Sequence, residues 1–139
     1  MSLCFLSLEM SKIFNKLILQ KLEEEGFDGL SESLIILFPY ILENKKITAS
    51  QLAKKVGYSR QAMYKNIKKL EDYAYITLIL ENQKEKSIQL TPKSDKLILL
   101  TISYIEQIEE NLAKRIGKKE LDKYIKSQEE IYNYLDSLN

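Results

Sequence analysis

The stretch VGYSRQAMYKNIKKLE, residues 56–71, decides how this chain is read. It holds three lysines and one arginine, and no acid before its last position. Gly57 can take the positive φ that a sharp turn needs. Ser59 is placed to cap a helix whose apolar positions, Ala62, Met63, Ile67 and Leu70, point inward. The same spacing turns Arg60, Gln61, Tyr64, Lys65 and Lys68 outward. One face of this helix therefore asks for a core, and the other for an anion.

Immediately upstream, ITASQLAKKVG carries a capping box, with Thr48 as N-cap and Gln51 three residues on, so a short helix is predicted over about 49–56. Leu52 and Val56 of that helix and Met63 of the next make a small shared core, and Ala53 is small where the two helices cross. Two short helices joined through a glycine are a helix-turn-helix. Downstream the period changes to two. Ile76, Leu78 and Leu80 alternate with Thr77, Ile79 and Glu81, then Ile88 and Leu90 alternate with Ser87, Gln89 and Thr91. The polar ENQKEK between them is the tip of a β-hairpin.

The remaining segments read as helices. Residues from about Glu9 to Glu25 repeat at helical period, and Gly26 closes them. A second helix spans about Ser31–Glu43, with Ser31 or Asp28 as cap and Pro39 predicting a kink or break inside it. Thr91 followed by Pro92 is a cap and first-turn pair that opens a long helix to about Ile116. Its stripe is Leu97, Thr101, Tyr104/Ile105, Ile108 and Leu112. Gly117 closes it, and a last helix over about 118–138 repeats Leu121, Tyr124/Ile125, Gln128, Ile131/Tyr132, Leu135 and Leu138. The fold class is mostly α (α+β): a winged helix-turn-helix over 31–91, with helical segments 1–30 and 92–139 around it. The last two stripes need more apolar cover than one short winged module offers. A second copy on a two-fold axis would supply it, so a homodimer is expected.

Length and composition agree. At 139 residues, 45% apolar and 29% charged, the chain suits one soluble domain. Four glycines and two prolines are too few for an all-β design. The net charge of +1 hides an uneven distribution. Residues 44–70 hold eight basic side chains and no acid, whereas residues 1–43 hold three basic and seven acidic ones. A solvated helical face interleaves both signs, so an acid-free run of this length points to a polyanion. There is no histidine and one cysteine, Cys4. That removes the commonest general base and any disulfide framework, and leaves almost nothing for zinc or copper. With no glycine-rich phosphate loop and no partnered nucleophile, neither an enzyme nor a cofactor is implied. The longest apolar run, LIILFPYIL at 34–42, is half a membrane span and contains a proline. MSLCFLSLEM lacks the basic start of a signal peptide, so a cytoplasmic protein without membrane attachment is expected.

Residues 47–96 resemble the winged helix of the MarR (multiple antibiotic resistance regulator) transcription factors. LAKKVGYSRQAMYKNIKKLE is similar to the family's helix-turn-helix, and IQLTPKS to the junction after its wing. The order of helices along the whole chain is similar too. The resemblance implies a homodimeric repressor that binds a pseudo-palindromic double-stranded DNA operator, with the terminal helices as dimer interface. It also implies a small-molecule effector held between those helices and the winged module. Three positions depart from the family pattern. Asn82, Gln83 and Lys84 stand where a wing Asp-x-Arg is usual, the hairpin is about two residues shorter, and Asn66 replaces an apolar residue.

The candidate DNA-binding residues are thus Ser59, Arg60, Gln61, Tyr64, Lys65 and Lys68, with Lys84 and Lys86 on the wing. Arg and Gln in the first turn suit base edges, and lysines further along suit phosphates. For Tyr64, contact with DNA and packing on the helix flank are equally open. Lys84 and Lys86 fit either DNA contact or a solvated hairpin tip. Cys4 has no cationic neighbour in sequence to activate it, so a small apolar role is favoured over redox sensing. The competing function is a winged helix that docks an acidic protein partner through the same basic face.

Overall fold

The computed structural model describes all 139 residues. The chain runs α1 (Leu3–Glu24), α2 (Glu32–Ile35), α3 (Leu37–Glu43), α4 (Ala49–Val56), α5 (Arg60–Asp72), β1 (Ile76–Leu80), β2 (Lys86–Leu90), α6 (Pro92–Ile116) and α7 (Lys118–Ser137). It divides into two compact units, Met1–Thr101 and Ile102–Asn139.

Local signals set most element ends in the first unit. Thr48 and Gln51 form both halves of the capping box at α4, and Gly57 ends that helix at φ 84°. A Cβ at Gly57 would meet nothing within 4 Å, so backbone conformation alone calls for glycine there. The Ser59 hydroxyl accepts from the Ala62 N–H at 3.1 Å and starts α5. Thr91 caps α6 through the Ser94 N–H, and Pro92 takes the first helical position, where no N–H is needed.

Two boundaries differ from the sequence expectation. α1 begins six residues earlier than Glu9, because Ser2 caps it through the Phe5 N–H. The helix expected over 31–43 breaks at Ile36 rather than at Pro39. Proline forbids the helical bond to the carbonyl four residues back, and that carbonyl belongs to Ile35, the last residue of α2. Pro39 itself then lies in the first turn of α3, whose N–H groups have no helical acceptor in any case. Ser31 precedes α2 but offers no side-chain cap; its hydroxyl meets that of Ser33.

The core of this unit gathers Leu22, Leu34, Leu37, Phe38, Leu52, Met63, Leu70 and Tyr75, each at most 3% exposed. β1 and β2 pair antiparallel in the register Ile76↔Leu90, Leu78↔Ile88, Leu80↔Lys86. Ile76 and Ile88 are buried while Leu80 is 63% exposed, so the period-two face is covered at the base of the hairpin and bare toward its tip. A third edge joins this sheet. The Ile88 N–H donates to the Ile47 carbonyl at 2.8 Å, and Thr48 bridges to Ser87. The short ITAS segment had no strand signal of its own.

Asp28, considered above as a cap, instead accepts from the Lys93 ammonium at 3.0 Å. Lys93 also donates to the Tyr73 carbonyl at 2.7 Å and stands 4.2 Å above the Tyr75 ring. The Tyr75 hydroxyl donates to the Asp28 carbonyl at 2.6 Å. Burial first, then the charge of Asp28, pushes the Tyr75 phenol up to about 12, so it stays a donor throughout the ordinary pH range. This knot ties the α1–α2 connection to the start of α6.

In the second unit, Leu121 is the buried residue. The stripe of α7 beyond it lies open: Tyr124, Ile131, Tyr132, Tyr134, Leu135 and Leu138 are 38–67% exposed.

Candidate nucleic-acid interface

α5 is built on a narrow apolar seam. Met63, Ile67 and Leu70, spaced four and three apart, are 0–4% exposed and seat the helix on the core. Ala62, expected inside, is exposed. It lies about 100° around the helix from Met63, beyond a seam only one residue wide. Leu52 and Ala53 of α4 are buried against this seam as expected, and Val56 is half-buried.

What the seam leaves outside is the cationic face. Ser59, Arg60, Gln61, Tyr64, Lys65 and Lys68 are all exposed, Tyr64 at 55%. They occupy the N-cap and first nine positions of one helix, so the structure brings these six together. Arg60 is not free-standing: one guanidinium N–H donates to the Ser50 hydroxyl of α4 at 3.2 Å. Ser50, Lys54, Tyr58 and Arg60 share a shallow depression at this point. Lys68 pairs with Asp72 one turn on, at 3.1 Å. Such an exposed pair is worth only ~0–1 kcal/mol. A phosphate can therefore take the ammonium at little cost.

The wing residues form a separate group. The Asn82 carboxamide oxygen accepts from the N–H groups of Lys84 and Glu85, at 2.8 and 2.9 Å, and folds the tip into a local turn. Lys84 is exposed on that tip, and Lys86 is exposed at the start of β2. No hydrogen bond or ion pair joins either lysine to α5.

Sequence reasoning did not place Ser50 and Lys54 beside Arg60. Both lie in the acid-free stretch, and Lys54 was visible as part of its charge. The Arg60–Ser50 contact was not, because it spans ten residues across a turn whose angle no local pattern states.

A pair of short helices crossing through a left-handed glycine, followed by a two-stranded wing and a long helix, is one known arrangement. The HTH domain family matches residues 33–85. The multidrug efflux pump regulator MepR of Staphylococcus aureus superposes over 100% of both chains at 20% identity, with a TM-score of 0.71. The chain has the fold of the MarR regulators. Staphylococcus aureus MarR, solved in complex with salicylate and kanamycin, is similar over 94% of this chain and 87% of its own at 17% identity, with a TM-score of 0.75. FabT of Streptococcus pneumoniae, solved in complex with DNA, is similar over 99% of this chain and 100% of its own at 18% identity, with a TM-score of 0.74. No match is found among curated proteins. At these identities the MarR likeness lies in the path of the backbone.

Proposed function

We propose that this protein is a DNA-binding transcriptional regulator of MarR type, acting as a cytoplasmic homodimeric repressor on a pseudo-palindromic operator. Residues 31–91 form the DNA-binding part, and 1–30 and 92–139 the dimerisation part. A small-molecule effector changes the separation of the two recognition helices. The observation that carries the reading is the cationic outer face of α5, seated by a buried seam within a stretch that holds no acid. MepR and FabT with the same fold have been captured on DNA, which supports it.

In mechanism, α5 enters the major groove with its N-terminal turn foremost. Arg60 leaves Ser50 to grip a guanine edge, and Gln61 meets an adjacent adenine. Lys65 and Lys68 follow a turn or two later and hold phosphates, Lys68 exchanging Asp72 for the backbone. The exposed apolar stripe of α7 and, separately, the exposed Leu3, Phe5, Leu6, Leu8 and Ile13 of α1 each leave apolar surface for a second copy to cover. Lys84 adds charge at the wing rather than planar recognition.

A gel shift with random duplex DNA across a salt series separates this reading from docking to an acidic protein. Binding that weakens steeply with salt is expected, with log affinity linear in log salt. No DNA affinity at low salt would leave the acidic-partner reading standing instead.

A further inference from the structure

Away from the face of α5, the first unit carries a groove of about 570 Å³ between the end of α3, the loop after it and the wing strands. That volume lies within the range of small-ligand sites, roughly 300–1,000 Å³. Its apolar lining is Ile41, Leu42, Ile79, Ile88 and Leu90. Ile41 and Ile88 are buried at 3%, but Leu42 and Ile79 are 48% and 42% exposed and lie bare in the walls. Lys45 and Lys46 also line it, both exposed and neither in an ion pair, in the segment of the chain without acids. Lys46 is held at φ 61°, a conformation that costs a non-glycine residue energy and that clusters at ligand clamps. The single acid of the lining, Glu81, accepts the Ser87 hydroxyl at 2.8 Å, which fixes its carboxylate on the strand side and leaves its charge in place. The groove therefore combines bare apolar walls with two unpaired ammonium groups against one carboxylate.

We propose that this groove binds a small amphipathic organic anion, an aromatic or compact aliphatic carboxylate. Its apolar body covers Leu42 and Ile79, and its carboxylate meets the ammonium groups of Lys45 and Lys46. A cation meets two ammonium groups against one carboxylate, and a neutral body of equal size gains no ion pair, so each binds less well. The site lies within one winged module and is distinct from a pocket beside the dimer helices. Its wall is bonded to the helix-turn-helix, because Ile88 is tied to Ile47 and Ser87 to Thr48, the cap of α4. The anion thereby gains a hold on the base of the wing. The inference needs no DNA in its test and stands apart from the reading above.

The test titrates the full-length protein with 1-naphthoate and, separately, with 1-naphthylmethylamine, by calorimetry and by backbone amide NMR. One naphthoate per chain is expected, with shifts at residues 41–46 and 79–90 and at least tenfold weaker binding of the amine. Lys45→Gln with Lys46→Gln lowers naphthoate affinity about tenfold. Ile79→Glu, a change at an exposed wall position that leaves the core intact, abolishes it. Equal binding of the amine, unchanged affinity in the double lysine variant, shifts confined to other residues, or no naphthoate binding at all would each overturn the proposal.

Discussion

The helix-turn-helix and the last helix draw on the same apolar residue types and end in opposite states. Leu52, Met63 and Leu70 are fully buried, while Ile131, Leu135 and Leu138 at the same helical spacing stand 38–67% exposed. The difference lies in what the chain folds back upon. α4 and α5 are short and joined by a left-handed glycine, so each is turned onto the other within a few residues. α7 is a 20-residue helix, and its outer turns stand exposed. A stripe states that cover is needed; it does not state which chain provides it.

Disrupting the exposed stripe gives the largest expected effect. Ile131→Glu with Leu135→Glu should convert a dimer of twice 16.3 kDa to a monomer of 16.3 kDa in light scattering. A wild-type protein that is already monomeric at micromolar concentration would break the comparison outright, since the stripe would then need no partner.

Next comes the buried side. Leu52→Ala opens a cavity where 0% of the side chain was exposed, and a loss of ~2–5 kcal/mol is expected from denaturant titration. Leu138→Ala, at 67% exposure, should change the stability of the winged module hardly at all.

On DNA, Arg60→Ala should cost ~1–3 kcal/mol of discrimination between operator and random duplex, with the salt slope mostly intact. Lys68→Ala should weaken both duplexes alike and reduce the slope by about one ion. Reversed outcomes for the two variants would mean that α5 docks the other way round. Ser50→Ala releases Arg60 from its contact in the free protein, and an unchanged or tighter specific affinity is expected.

The smallest effect concerns the Asp28–Lys93 knot. The hydrogen bond from Lys93 leads in holding the Asp28 carboxyl below its ordinary 3.8, with a backbone N–H adding to it. A depressed folded pKa adds stability above the unfolded value, and that contribution is lost as pH falls from 3.8 downward. Asp28→Asn should thus show a slight destabilisation at neutral pH that disappears in acid. A difference that grows on acidification would mean that Lys93 is not the partner that matters.

How much was legible follows from the range of each interaction. The caps at Thr48, Ser59 and Thr91 and the left-handed Gly57 act within three or four residues, and all four were found where the residue types placed them. The Pro39 break was foreseen but displaced to Ile36, because proline acts on the carbonyl four residues behind it. Ala62 was misplaced because composition does not state how wide a buried seam is. The Asp28–Lys93 knot and the Arg60–Ser50 contact cross 65 and 10 residues of chain, and no periodicity signals either.

By itself, the sequence determined the order of helices and hairpin, the charge of residues 44–70 and the seam that turns Arg60, Gln61, Lys65 and Lys68 outward. Those are local matters of capping, period and side-chain chemistry, and they act wherever the chain finds itself. Only the tertiary structure decided that Ile47 and Thr48 complete the wing sheet, that Ser50 restrains Arg60, and that Lys45 and Lys46 stand beside bare Leu42 and Ile79. Each of those depends on an angle between elements. Such angles are set by the packing of the whole core around Leu37, Leu52, Met63 and Tyr75, and no segment carries them alone.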